Sequence, residues 1–224
     1  MQVIQSRARG SLDAGQMSSM LLARERVLPA TDLLASSLPM GGLQRGTTTI
    51  VTPSSPGSAE APGSTTLALE LLAGVSMGGY WCAAVGLANL GILAAAERRV
   101  ALERLLLVPF PGGAGRWQQV LATLFDGVDA VLFAPPGPVR SSDARKLSAR
   151  AKDRGSLLIV LDRHGRWSEP GDLRCRVTSS AWSGLGEGHG LLAGRSVEIE
   201  VSGRGAAARP RRTAVSLTQM GLTA

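Results

Sequence analysis

The stretch TTTIVTPSSPGSAEAPGSTTLALELLAGVSM, residues 47–77, predicts a strand, a loop and a helix in direct succession. The opening TTTIVT is short and β-branched, which favours a strand. The next segment, PSSPGSAEAPG, holds three prolines and two glycines, a composition typical of a loop. A Ser/Thr start and an apolar run of helical length follow. Because a glycine-containing loop before a helix N-terminus is a common phosphate site, this stretch raises the question of nucleotide binding.

The loop departs from the phosphate-binding consensus G-x-x-x-x-G-K-[ST] at its most important position. Gly57 and Gly63 are separated by five residues instead of four, and Ser64 stands where the lysine belongs. Thr65 and Thr66 still lie at a predicted helix N-terminus, where the helix dipole attracts anions. These five residues form a candidate vestigial phosphate loop. The alternative is that Ser64 and Thr65 are simple helix caps, worth about 1 kcal/mol of stability.

Strands and helices alternate after this loop. Strand-like apolar segments cover 80–86, 104–110, 129–135 and 156–162. Helical patterns separate them, and the last, SSDARKLSARAKDR, has a serine cap and a thin apolar face. Continuous apolar strands joined by helices predict a parallel sheet that is covered on both faces.

The pattern changes after residue 162. The segments LRCRVTSSAW, RSVEIEVSG and RRTAVSLTQ alternate polar and apolar residues, which predicts half-exposed antiparallel strands. The predicted fold class is therefore α/β, with a mostly parallel central sheet, helices on both faces and a C-terminal antiparallel extension.

The net charge of +7 is located in one part of the chain. Residues 1–139 hold nine basic and nine acidic side chains, whereas residues 140–212 hold fifteen and eight. A basic second half indicates a surface for nucleic acid or for an acidic protein. The alternative is an arginine-rich, solvated face without a partner.

Membrane and secreted classes are disfavoured by the apolar pattern. No apolar run reaches the roughly 18 to 20 residues that span a bilayer, and the first residues lack the apolar stretch of a secretory signal. The two cysteines, Cys82 and Cys175, lie in apolar, strand-like segments and are predicted to be buried thiols. We expect a cytoplasmic protein that does not contact a membrane.

The order of these segments resembles the RecA-like fold. RecA proteins carry a G-G-L-P-x-G turn, a strand and a phosphate loop leading into a helix; here residues 41–46 read GGLQRG and residues 63–67 read GSTTL. The blocks WCAAVGLANLGILAAAE, DAVLFAPP, LSARAKDRGSLLIVL and SGLGEGHGLLAGRSVEIEVSGRG look like those of the actinobacterial ImuA-prime family, degenerate relatives of RecA. This resemblance covers about residues 28–217.

The resemblance implies a domain organisation and a role. Before the part it covers, apolar residues at Met17, Met20, Leu21 and Leu22 between charges predict a helical lead-in at 1–27. A degenerate RecA-like domain at 28–203 and an arginine-rich strand or tail at 204–224 complete the chain. It also implies an accessory role in SOS-induced mutagenic translesion synthesis, located at the nucleoid when active. The implied partners are an ImuB-like Y-family polymerase-homologous protein and, indirectly, an error-prone C-family polymerase.

The residues that ATP hydrolysis needs are missing from their expected positions. Both lysines, Lys146 and Lys152, lie on a predicted helix remote from the loop. The strand at 129–135 ends in alanine and proline where a Walker-B aspartate would hold Mg²⁺, and Asp129 lies at its other end. Residues 87–89, LAN, occupy the place of a water-activating glutamate. We therefore predict no catalysis and no cofactor.

Other catalytic or metal sites are equally weak. Asp162 and His164 lie in a polar turn after a strand, where a histidine is more often a surface residue than part of a triad. His164, His189 and Cys175 lack any pair at metal-ligand spacing, so we predict no metal site.

Two basic regions remain as candidate contacts for DNA or a partner protein. The glycine-rich segment near 178–195 contains Trp182 with Arg195 downstream, a combination suited to base stacking and phosphate contact. The alternative is a plain flexible hairpin, because Glu187 at its tip disfavours phosphate. The segment SGRGAAARPRRTAV has little core to cover, so its charge is available to DNA or to an acidic protein. Its candidate contacts are Arg204, Arg209, Arg211 and Arg212.

Three functions are compatible with these features. The first is a non-catalytic adaptor that recruits a polymerase-like partner to damaged DNA. The second is a recombination accessory that binds single-stranded DNA and modulates RecA. The third is a sensor that binds ATP without hydrolysing it.

Overall fold

The computed structural model describes residues 26–55, 63–113, 115–185 and 190–216, with the backbone alone at 185 and 190–193. Gly57, Glu187, His189 and the apolar residues of the expected helical lead-in lie outside the described residues. Of the predicted lead-in at 1–27, the structure describes only residues 26 and 27, and Val27 is the first residue of the first strand.

A small two-stranded sheet precedes the main sheet. Its antiparallel strands are β1 (Val27–Pro29) and β2 (Gly42–Gln44), with the short helix α1 (Asp32–Ala35) between them. The main sheet consists of β3 (Thr48–Thr52), β4 (Cys82–Val85), β5 (Leu105–Val108), β6 (Ala130–Phe133), β7 (Leu157–Leu161), β8 (Leu173–Leu185), β9 (Gly190–Gly203) and β10 (Arg211–Ser216). Its helices are α2 (Ser64–Met77), α3 (Ile92–Glu97), α4 (Arg116–Leu124) and α5 (Ser141–Arg154).

The main sheet has the strand order β10-β9-β8-β3-β7-β6-β4-β5. Strands β8, β3, β7, β6, β4 and β5 pair in parallel, and β9 is antiparallel to both β8 and β10. The predicted α/β class with a mostly parallel sheet and C-terminal antiparallel strands is therefore confirmed.

Helices cover both faces of this sheet because its central strands are apolar on both sides. Every residue of β6 and β7 is buried. Helix α2 packs on one face and is buried along most of its length, from Leu67 to Ser76. Helices α4 and α5 pack on the other face, where Trp117 stacks on Phe133 at 5.1 Å between ring centroids.

Three local predictions differ from the structure. The first strand of the expected antiparallel extension, β8, pairs in parallel with β3, so the extension continues the central sheet. The predicted serine cap of α5 is wrong: the cap position is Arg140, and the Ser141 hydroxyl is hydrogen-bonded to Ser168 instead. Strand β5 is not covered on both faces, because it is the edge strand and leaves Leu106 and Leu107 exposed.

Within the described residues, no helix is both long and apolar enough to cross a bilayer.

Candidate functional site

The carboxyl ends of the parallel strands share one edge of the sheet, which we call the carboxyl edge. Ligands of open parallel sheets bind beyond such an edge. Strand β3 ends there at Thr52, and α2 begins there at Ser64. The residue at the cap position of α2 is Gly63, with φ of 102°, and no side chain caps the helix. The alternative prediction that Ser64 and Thr65 cap α2 is therefore wrong, because glycine occupies that position.

A β-hairpin arm reaches the start of α2. Strand β8 pairs with β3 only as far as Arg176, opposite Thr52, and its remaining residues extend past the carboxyl edge together with β9. A Cβ atom placed on Gly63 would lie 3.2 Å from Val197 Cγ1 and 3.5 Å from Arg195 Nη2. The structure therefore brings together two candidate regions that are far apart in sequence, the vestigial phosphate loop and the Trp182–Arg195 segment.

The Arg195 side chain is held tightly on this arm. Its guanidinium carbon lies 4.7 Å from the centroid of the Trp182 ring, and its Nε donates to Ser180 Oγ at 2.8 Å. Its Nη2 atom is buried and has no hydrogen-bond partner in the described parts of the chain. Burial, with a smaller contribution from the charge of Arg98, lowers the pKa of the Arg195 guanidinium. Trp182 leaves about half of its surface, 49%, exposed.

At the carboxyl edge, the residues that follow β6 and β4 are apolar or glycine. Strand β6 is followed by the buried Ala134, and β4 by Gly86 and the buried Leu87. Gly86 has φ of 76°, and a Cβ atom there would lie 2.4 Å from the carbonyl oxygen of Ala134. The backbones of these two strand ends therefore approach too closely for any side chain at Gly86.

The acidic residue at the end of β7 has a structural role. Asp162 is buried; its Oδ1 accepts from the Arg166 amide at 2.7 Å and its Oδ2 from the Trp167 amide at 3.2 Å. Both oxygens therefore bind the following turn, and His164 in that turn is exposed. Asp129 lies at the opposite end of β6, where it binds Arg45 at 2.9 Å and the Trp81 amide at 3.0 Å.

The cysteines have the properties of buried thiols, as predicted. Burial raises the pKa of both Cys82 and Cys175 to about 12, so their nucleophilic thiolate forms are negligible at neutral pH. The described residues contain no cluster of three or more metal-ligating side chains.

The remaining candidate arginines lie away from Trp182 and Arg195, towards the other end of β9. Arg204 Nη1 is 3.9 Å from Asp172 Oδ1, and Arg209 is exposed. Arg211 and Arg212 lie on β10, opposite Val201 and Glu200 of β9, and Arg212 Nε binds Glu200 Oε2 at 2.9 Å. Their strand therefore belongs to the sheet, and Val215 of β10 is buried in the core.

Sequence reasoning missed a pocket at the opposite edge, where the parallel strands begin; we call this the amino edge. The pocket has a volume of about 690 Å³ and is lined by segments 39–49, 145–152, 169–173 and 204–207. Arg45, Arg145, Lys152 and Arg204 all line it. Because these four segments are far apart in the chain, no linear motif indicates the pocket.

Comparisons with known proteins show which family the chain belongs to. The family model described as the MT3502 N-terminal domain matches residues 36–169, more than half of the chain. An uncharacterized protein of Mycobacterium tuberculosis, Rv3395c, is 38% identical over 106 residues, which are 47% of this chain and 50% of the relative. The match thus spans about half the length of that relative. The family match ends before β8, so Trp182, Arg195 and the arginines at 204–212 lie beyond it.

Proposed function

The chain belongs to the MT3502 N-terminal domain family, and from that premise we propose that it is a non-catalytic, RecA-like adaptor in mutagenic DNA repair. In this role it acts in the cytoplasm, at the nucleoid, and recruits an ImuB-like Y-family protein to damaged DNA. An error-prone C-family polymerase joins through that partner. The sequence blocks that resemble the ImuA-prime family support this role. The strand–loop–helix order at β3 and α2, within a mostly parallel sheet, supports the RecA-like core.

One observation carries the non-catalytic part of the proposal. At the carboxyl edge, Ser64, Ala134 and Leu87 stand where phosphoryl transfer would need a lysine, an aspartate and a glutamate. The close approach of Gly86 to the Ala134 carbonyl also leaves little room at two of these positions. A scaffold that keeps its sheet without these groups is suited to binding rather than to hydrolysis.

A genetic complementation experiment tests the adaptor function. We expect deletion of the gene to abolish most damage-induced mutation in its host, and the wild-type gene to restore it. Thr65→Ala with Thr66→Ala removes two of the three hydroxyls of the candidate phosphate loop and should restore mutation equally well. An unchanged mutation frequency after deletion would overturn the repair role. Failure of the folded double variant alone would show that nucleotide binding is required, and the adaptor would become a nucleotide-gated switch.

A second function, single-stranded DNA binding, is favoured by the arm. Trp182 is half exposed and Arg195 is stacked on it, which supplies a π-face and a cation on one protruding surface. We expect Trp182→Ala to weaken binding of a fluorescent oligo-dT by about 5- to 100-fold, as the loss of one stacked base predicts. Trp81, exposed to a similar extent but at the amino edge, is the matched control, and Trp81→Ala should leave affinity unchanged. Equal effects of the two variants would remove the arm as the DNA surface.

The third function, ATP sensing, is favoured by Arg195 Nη2 at the start of α2, since it places a cation beside the loop that lacks a lysine. Calorimetric titration with ATP and Mg²⁺ tests it. Micromolar binding that is lost in Arg195→Ala would support a sensor. No heat at millimolar ATP would assign residues 63–66 to the scaffold alone.

A further inference from the structure

We propose that the amino-edge pocket is a docking site for an acidic protein segment that carries an apolar side chain. The pocket lies at the end of the sheet opposite to α2's first turn and Trp182, so it is separate from the carboxyl edge. This inference rests on the proposed adaptor function, because it names the chemistry by which the adaptor holds a protein partner.

The pocket walls are fixed before any ligand arrives. Asp172 Oδ2 accepts from the Thr48 amide at 2.9 Å, and the Asp172 carbonyl accepts from the Arg204 amide at 2.9 Å. A Cβ atom on Gly203 would lie 2.3 Å from the Asp172 carbonyl oxygen, so this close backbone contact requires glycine. On another wall, the Thr48 and Ser148 hydroxyls are hydrogen-bonded at 2.9 Å. Such preorganisation lowers the entropy cost of binding.

The charge of the pocket is positive. Four cations line it, against two carboxylates, Glu169 and Asp172. Arg145 is paired with Glu169 at 3.0 Å, while Arg204 is only loosely paired with Asp172 at 3.9 Å and remains 70% exposed. Lys152 is exposed and has no ion pair with any residue that the structure describes. Lys152 and Arg204 are therefore the cations available to an incoming carboxylate.

The lining of the pocket favours a peptide over nucleic acid. Met40, which is 55% exposed, gives the pocket an apolar surface that a leucine-sized side chain can cover, and the buried Leu43, Leu173 and Ala207 lie beneath it. None of the described residues that line the pocket is aromatic, although stacking on aromatics is a main source of affinity for single-stranded nucleic acid. A concave, partly apolar site with a cationic rim therefore matches acidic residues next to an apolar anchor.

The basic surface continues beyond the pocket rim. Arg209 is exposed and Arg211 begins β10, both within a few residues of the Ala207 wall. A bound acidic segment that leaves the pocket on this side would meet further positive charge, which raises the association rate.

A peptide array tests the proposal directly. Three sets of fluorescent peptides of about twelve residues are compared, each with one leucine. In the first set the leucine is flanked by aspartates and glutamates, in the second by asparagines and glutamines, and in the third by lysines. We expect the full chain to bind only the acidic, leucine-containing set, with replacement of leucine by serine weakening binding. Charge reversal by Lys152→Glu with Arg204→Glu should weaken binding about tenfold or more. The matched control, Arg140→Glu with Arg163→Glu, changes the net charge equally at exposed positions elsewhere and should have little effect.

Three outcomes would overturn the proposal. They are no preference for acidic peptides, equal losses in the two charge-reversal variants, and binding of oligo-dT that the pocket variant alone loses. Circular dichroism of both variants checks that they are folded. If acidic peptides bind the pocket but deletion of the gene leaves mutation unchanged, the docking site stands and the repair role fails.

Discussion

The two edges of the central sheet use their arginines in opposite ways. At the carboxyl edge, Arg195 is stacked on Trp182, partly desolvated, and leaves one buried nitrogen without a partner among the described residues. At the amino edge, Arg45 and Arg145 are paired with carboxylates, and Lys152 lines the pocket. The difference shows that positive charge has two distinct environments in this molecule. One is a protruding arm where an arginine stacks on a tryptophan, and the other is a concave pocket where two of the four cations are ion-paired at about 3 Å.

The largest expected effects come from close backbone contacts at the two edges. Gly86→Ala, at the carboxyl edge, combines a positive φ with a contact of 2.4 Å to a carbonyl oxygen. We expect it to lower the free energy of unfolding by about 2 to 4 kcal/mol. Gly203→Ala, at the amino edge, has the close contact without positive φ and should cost about 1 to 3 kcal/mol. Urea denaturation measures both.

Gly127→Ala is the control for these two variants, because nothing lies within 4 Å of its added Cβ atom. It should change stability by no more than about 0.5 kcal/mol. If Gly86→Ala proved as neutral as this control, the two strand ends would be free to separate and the carboxyl edge would be open to a ligand.

The next effect concerns the carboxylates that bind backbone amides at each edge. Asp162→Ala removes the acceptor of two amides, one of them the buried Trp167 amide, and should cost about 1 to 3 kcal/mol. Asp172→Ala removes one acceptor, for the Thr48 amide, and should cost less. Asp153→Ala, at an exposed position, is the reference. Thermal unfolding of the three variants ranks their losses of stability. A larger loss of stability for Asp172→Ala than for Asp162→Ala would contradict this order.

The smallest expected effect is a pH dependence of the folding stability, caused by ion pairs at the amino edge and in the C-terminal strands. Arg145 donates to Glu169 and holds the pKa of that carboxyl below its ordinary value of 4.5. Arg212 and then Arg176 do the same for Glu200. Because these pKa values are lower in the folded state, both pairs stabilise the fold above about pH 4.5 and lose this contribution as pH falls further.

Unfolding curves measured between about pH 6 and pH 3 test this dependence. Glu169→Gln and Glu200→Gln should each slightly reduce the loss of stability at acidic pH, since the partners Arg145 and Arg212 are exposed to solvent, which screens the pairs. Glu103→Gln, at an exposed position remote from these pairs, should have the same dependence of stability on pH as the wild type. An unchanged profile in all three variants would show that these ion pairs do not contribute to stability.

Local patterns in the sequence were sufficient to predict the strands and helices of the central sheet. The apolar runs at β4, β6 and β7 predicted buried strands, and the spacing of Ala144, Leu147 and Ala151 predicted the buried face of α5. They were insufficient for β8, because its alternating pattern is the same whether its neighbour runs parallel or antiparallel. Similarly, an apolar run does not tell an edge strand such as β5 from a central one.

The sequence predicted individual residues of the candidate site but not their arrangement in space. Gly63 and Arg195 were each identified from local sequence, but their proximity depends on how far β8 extends beyond Thr52. The amino-edge pocket depends on four segments that the sheet order brings together, and sequence gives no pairing order for them. Long-range contacts of this kind follow from tertiary packing, which local propensity does not encode.

Strand β3 has a consequence for anyone who divides this chain into pieces. It pairs with β7 on one side and with β8 on the other, yet the family match stops at residue 169, between those two neighbours. A fragment cut at that boundary would turn β3, one of the two middle strands of the sheet, into an edge strand. The backbone groups of Thr49–Thr52 that pair with β8 would be left unpaired and prone to self-association. The first residues of β8, Leu173 to Arg176, therefore complete the pairing of β3, and a fragment used to dissect this sheet should include β8.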